Sequence, residues 1–91
     1  MKVIIKKQFD KQLEKLPKTV QESAVSAIKK LYAAKTLSDT NLDYLKISGQ
    51  KKGENLYRIR LGNYRIGIEL IQPTVIVITI FHRQDDYKNF P

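Results

Sequence analysis

The chain has 91 residues and no cysteine, so it makes one domain (residues 1–91) with neither a disulfide framework nor a thiolate metal site, and its single histidine argues against a zinc centre. Lysine and arginine number 17 against 9 acidic residues, a net charge of +8 that points to a polyanion or an acidic protein as partner, with a lysine-rich surface kept for solubility as the plain alternative. The longest apolar run, Val75 to Ile80, is too short to span a membrane, and the start of the chain lacks a signal-peptide core, so a cytoplasmic protein is expected.

In chain order, Val3, Ile4 and Ile5 predict a short first strand. Phe9, Leu13 and Leu16 recur at i, i+4 and i+7 and predict a helix. Pro17 ends that helix and opens a second over about residues 18–34, with Val20, Ala24, Ala27, Ile28, Leu31 and Tyr32 as its apolar stripe. Residues 36–55 are the least regular. Ser38, Asp39, Thr40 and Asn41 are turn formers, Leu42, Leu45 and Ile47 are expected to anchor a loop to the core, and Gly49 to Gly53 form a basic loop whose Lys51 and Lys52 could touch phosphate.

Residues 57–70 are the centre of the reading. Polar and apolar residues alternate on both sides of Gly62-Asn63, which predicts a β-hairpin with a two-residue turn. The simplest register sets Leu61 opposite Tyr64, Arg60 opposite Arg65, Ile59 opposite Ile66 and Arg58 opposite Gly67. Leu61 and Ile66 then fall on the core face, and Arg58, Arg60, Arg65 and Glu69 on the other. Gln72-Pro73 predicts a turn, and Thr74 to Phe81 a central strand buried on both faces. The expected fold is α+β: an N-terminal strand, a two-helix hairpin, then a three-stranded antiparallel meander. The helices cover one face of a small, mainly antiparallel sheet and leave the opposite face basic and concave.

The arginines need a reason beyond solvation. Lysines outnumber them thirteen to four, yet all four (Arg58, Arg60, Arg65 and Arg83) lie between residues 58 and 83. Like charges facing each other across a strand pair are unfavourable. Guanidinium, however, is the side chain suited to bidentate phosphate recognition.

The run Tyr57-Arg58-Ile59-Arg60-Leu61-Gly62-Asn63-Tyr64-Arg65-Ile66-Gly67-Ile68-Glu69 is followed by the β-branched strand, by His82-Arg83 with Tyr87 beyond, and by a Phe90-Pro91 ending. Together with the Phe9 to Pro17 helix these residues resemble the RelE/ParE superfamily of toxins from type II toxin–antitoxin systems, over essentially the whole chain and with the RelE-like branch nearest. The resemblance implies a metal-independent endoribonuclease, without cofactor, that enters the ribosomal A site and cleaves mRNA. The RNA's 2′-hydroxyl would attack the adjacent phosphodiester, giving a 2′,3′-cyclic phosphate and a 5′-hydroxyl.

A cognate RelB-like antitoxin with an acidic or amphipathic segment would neutralise the toxin, and the pair would bind operator DNA. Carried over by position, Arg65, Arg83, Tyr87 and His82 are the catalytic candidates, and Arg58 and Arg60 the RNA-binding strand residues. Well-studied relatives often carry lysine at those two strand positions. Arginine keeps its proton in a protein, so the general base is left to His82, Tyr87 or a carboxylate such as Glu69, Asp85 or Asp86. If Phe81 points into the core, His82 points toward the arginines. A ParE-like inhibitor of DNA gyrase, or a weak toxin acting as co-repressor, are the alternative readings.

Overall fold

The computed structural model of the chain describes residues 1–85 and Phe90. Strand β1 (Lys2–Ile5) leads into helices α1 (Lys7–Glu14) and α2 (Lys18–Ala33). Strands β2 (Tyr44–Lys46), β3 (Leu56–Leu61), β4 (Tyr64–Ile71) and β5 (Thr74–His82) follow. They form a five-stranded sheet in the order β1-β5-β4-β3-β2, antiparallel except where β1 runs parallel to β5. The expected α+β class holds. The last strand lies inside the sheet between β1 and β4, but β4 and not β5 is central, and Thr74, Ile76 and Ile78 on the face of β5 away from the helices are only half-buried.

Pro17 stands at the N-terminal boundary of α2, where its missing N–H costs nothing and its φ of −54° suits a helix start. α1 packs on β5, and α2 on β1 and β3. At the far end of α2 the Met1 amino group donates to the carbonyls of Leu31 (3.0 Å), Tyr32 (3.1 Å) and Ala34. These oxygens have no partner inside the helix, and a positive charge suits that end of its dipole. Phe9, Ala24, Ala27 and Leu31 meet Ile59, Ile66, Ile68, Val75, Val77 and Ile80 in the main core. Tyr32, read as part of the α2 stripe, is instead exposed, one step round from buried Leu31.

The hairpin register is the expected one, pair for pair from Arg58–Gly67 to Leu61–Tyr64. The positive φ of the turn falls on Gly62 (58°) and not on Asn63, the pattern of a II′ turn. Residues 36–55 depart from expectation. Ser38–Thr40 form a 3-10 turn closed by Asn41 in the left-handed region (φ 59°), and β2 then pairs antiparallel with β3 as an edge strand. Leu42 and Ile47 are half-buried against the two cores, but Leu45 is 69% exposed and anchors nothing. Strand alternation is the cause: Tyr44 faces the helix-side core, so Leu45 must face the other way. The basic loop is tied down by Gln50, whose Nε2 donates to the carbonyls of Ile47 and Leu56 and whose Oε1 accepts the Leu56 N–H at 2.7 Å.

One irregularity rearranges the far strand. Gly67 pairs with Thr79 and Ile68 with Val77, so Ile78 is an extra residue in β5, a β-bulge. A one-residue slip exchanges the two faces of a strand. Beyond the bulge Ile80 joins the helix-side core, while Phe81 faces Arg65's side and packs with Leu56 and Phe90 in a second, smaller cluster.

Helix α1 braces the bulge. Gln12 Oε1 accepts hydrogen bonds from Thr79 Oγ1 (2.7 Å) and from the Ile80 N–H (3.0 Å), and Thr79 is fully buried. Gln12→Leu should therefore destabilise the fold by about 1–3 kcal/mol, because it leaves buried donors without a partner. An unchanged denaturation midpoint would show that these donors find another acceptor.

Candidate functional site: an arginine groove opposite the helices

Arg58 and Arg60 project from β3, and Arg65 from β4 directly opposite Arg60. With Asp43, Tyr44 and Leu45 they line a groove of about 360 Å³ on the sheet face away from the helices. Period-two alternation delivers all three arginines to that face, and the edge strand β2 supplies its wall.

Each guanidinium is held differently. Arg65 Nη1 donates to the carbonyls of Gly62 (2.8 Å) and Tyr64 (2.9 Å), which folds the side chain back over the hairpin turn. Arg60 Nε lies 2.8 Å from Asp43 Oδ2 with both side chains more than half exposed, and its backbone N–H donates to the Asp43 carbonyl at 2.8 Å. An exposed pair of this kind adds little stability, but it offsets the repulsion between Arg60 and Arg65. Arg58 is half-buried on the groove wall.

The other expected site residues are spread more widely. Arg83 is exposed and opens a 3-10 turn after β5. Its N–H donates to the Asn63 carbonyl at 2.8 Å, which sets its backbone beside the hairpin turn at Arg65's end of the sheet. His82 does not face the arginines. It pairs with Tyr64, meets that ring edge-on at 5.2 Å on the helix side, and accepts the Gln84 N–H at Nδ1. The bulge at Ile78 is the reason, since it reverses the alternation on which the expectation rested.

Glu69 pairs with Leu56 and Ile76 and lies outside the groove. Lys51 and Lys52 are exposed on the loop before β3. Lys51 lines a separate shallow cleft of about 340 Å³, where its backbone N–H donates to Glu54. Tyr87 and Asp86 lie outside the described residues. Among the described residues no three His, Asp or Glu side chains gather to hold a metal ion, and no helix is long and apolar enough to cross a membrane.

Sequence reasoning missed Asp43, Tyr44 and Leu45. Tyr44–Lys46 is too short to show a period, and Leu45 is apolar where the solvent-facing side should be polar, so no signal marks the strand.

A basic α+β domain with convergent arginines on the uncovered face of its sheet has the architecture of a small toxin from a type II toxin–antitoxin system. The family described as ParE toxin of type II toxin-antitoxin system, parDE, matches residues 3–87. Toxin RelE3 of Methanocaldococcus jannaschii is 40% identical over 91 residues, the full length of both chains. The RelB–RelE antitoxin–toxin complex from Methanococcus jannaschii aligns with a TM-score of 0.79 at 34% identity, over 97% of this chain and 99% of that one. The archaeal RelE–RelB complex from Pyrococcus horikoshii OT3 aligns with a TM-score of 0.71 at 25% identity, over 90% and 93%. The chain belongs to the RelE/ParE superfamily as a RelE-like toxin.

Proposed function

We propose that this toxin is a ribosome-dependent, metal-independent mRNA endonuclease that inhibits translation in the cytoplasm and is neutralised by a RelB-like antitoxin. The observation that carries the reading is the convergence of Arg58, Arg60 and Arg65 on one groove, in a chain whose relatives include Toxin RelE3. Guanidinium forks match phosphate oxygens bidentately. As the 2′-hydroxyl attacks, negative charge builds on the phosphoryl oxygens, and donors already in position stabilise it. Arg65 and Arg83 are assigned that task, Arg58 and Arg60 hold the RNA backbone, and Tyr87 stacks on a base. The antitoxin brings the acidic or amphipathic segment that the +8 charge favours. Operator DNA is met only through that complex.

Primer extension on cellular mRNA after induction, with an Arg65→Ala/Arg83→Ala variant beside the wild type, tests the proposal. New 5′ ends inside translated frames, lost in the variant, are expected. Intact mRNA with continued growth arrest would reject the reading in favour of gyrase inhibition, and intact mRNA with normal growth would favour a co-repressor.

The arginine contacts also predict a salt dependence. The logarithm of the RNA association constant should fall by about 0.7 per contacted phosphate for each tenfold rise in salt, so three engaged arginines give a slope near −2. A titration series showing no salt dependence would remove the arginines from the RNA interface.

A further inference from the structure

The nuclease reading lacks one participant, a group that takes the proton of the attacking 2′-hydroxyl. The groove's arginines cannot, because guanidinium keeps its proton. His82 faces the helix side, and Glu69 lies outside the groove. Among the described residues one carboxylate lines the groove, that of Asp43. We propose that Asp43 is the general base of this site, an inference that rests on the nuclease reading.

Its setting suits the task. The backbone bond from Arg60 N–H to the Asp43 carbonyl and the side-chain pair to Arg60 Nε, both 2.8 Å, fix the carboxylate at two points against one residue. The pair is made through Asp43 Oδ2 on a side chain 60% exposed, and a carboxylate has acceptor capacity enough to take a substrate hydroxyl as well. Arg60 meets the carboxylate through Nε with its side chain 64% exposed, and the same guanidinium carries two terminal nitrogens that can donate to a phosphate. One arginine thus presents the carboxylate on one edge and binds the electrophile on another. In RNA the 2′-hydroxyl and the 3′-phosphate sit on adjacent ribose carbons, so the base and the phosphate-binding group must be neighbours, as Asp43 and Arg60 are. Among the described residues, the charged groups that share the groove with Asp43 are Arg58 and Arg60 of β3 and Arg65 of β4, with Tyr44 beside it on β2.

The step balances. Asp43 takes the 2′-hydroxyl proton as the 2′-oxygen bonds to phosphorus and the bond from phosphorus to the 5′-oxygen breaks. The departing 5′-oxygen takes a proton from water, and Asp43 returns its own to solvent. The products are a 2′,3′-cyclic phosphate and a 5′-hydroxyl.

The experiment is single-turnover cleavage of mRNA on programmed ribosomes across a pH series, using wild type, Asp43→Asn and Asp43→Glu, with RNA affinity measured for each. Asp43→Asn should lose about 100-fold or more in rate, while its RNA affinity stays equal or tightens, because a negative charge beside the phosphates is gone. A base-dependent rate falls in acid as the base protonates. The residual Asn rate should lack that fall, and Asp43→Glu should recover part of the rate. An Asp43→Asn rate within a few-fold of wild type overturns the assignment. So does a loss that comes from weaker binding with the wild-type pH profile intact, which would make Asp43 a positioning group for Arg60. Wild-type protein that cleaves nothing rejects the nuclease reading itself, and the role of Asp43 with it.

Discussion

Ile66→Ala is expected to destabilise the protein by about 2–5 kcal/mol, the cost of a cavity where the surroundings cannot collapse. Ile66 is fully buried on the middle strand, with Ile59 opposite it on β3 and Ile80 opposite it on β5. A domain of this size has roughly 5 kcal/mol to lose at the low end of the usual range, so the variant should be close to unfolding at ambient temperature. Leu61→Ala is the informative control. By alternation alone Leu61 and Ile66 belong to one core face, yet Leu61 is only half-buried, at the turn end of the hairpin against the flank of α2. It should lose roughly 1 kcal/mol, in proportion to the smaller area it removes from water. Urea midpoints with unchanged slopes would measure both. Equal losses would contradict the burial difference.

Gly67→Ala should cost about 1.5–3 kcal/mol, through a residue 23 positions away. A Cβ on Gly67 would lie 2.9 Å from three ring atoms of Phe90, closer than carbon atoms approach. Phe90 is 6% exposed and completes the cluster of Leu56 and Phe81 on the groove side of the sheet. The added methyl must push the ring out, and the cost is that of exposing a buried phenylalanine.

The double-mutant cycle makes this a sharp statement. In a Phe90→Ala background the same Gly67→Ala change no longer meets the ring and should be neutral, or stabilising by about 0.4–1 kcal/mol through a less flexible unfolded chain. If the two single losses simply add, Phe90 does not rest on Gly67. Groove activity is a second readout, since Arg65 neighbours Phe81 across the strands.

The hairpin could be read from the amino acids to the exact pair, because alternation on both sides of Gly62-Asn63 leaves a single register. The helices were legible for the same reason at a different period. What escaped was whatever lacks a period. Val75 to Phe81 is β-branched or aromatic at every position, so nothing in it marks the bulge at Ile78, and with the bulge unseen His82 is assigned to the wrong face. Edge strand β2 has three residues and an exposed leucine, which reads as loop. Asp43 entered the groove with it. Phe90 is one aromatic near a chain end, and its seat on Gly67 depends on the absence of a side chain far away in sequence. The arginines, by contrast, could be found because charge clustering on one face of a hairpin survives in one dimension.

The parallel pairing of β1 with β5 has a consequence for how the protein comes into being. Lys2 to Ile5 find their partners at Thr74 to Val77, some 70 residues later, and β4 and α1 also pack against that strand. The helical hairpin can form from local contacts, but the sheet has no completed edge, and the main core no floor, until the last strand has been synthesised. Contacts this remote are slow to close. A nascent chain that still lacks β5 therefore has at most an unsupported hairpin in place of the arginine groove, and the groove takes its shape only after most of these residues have been made.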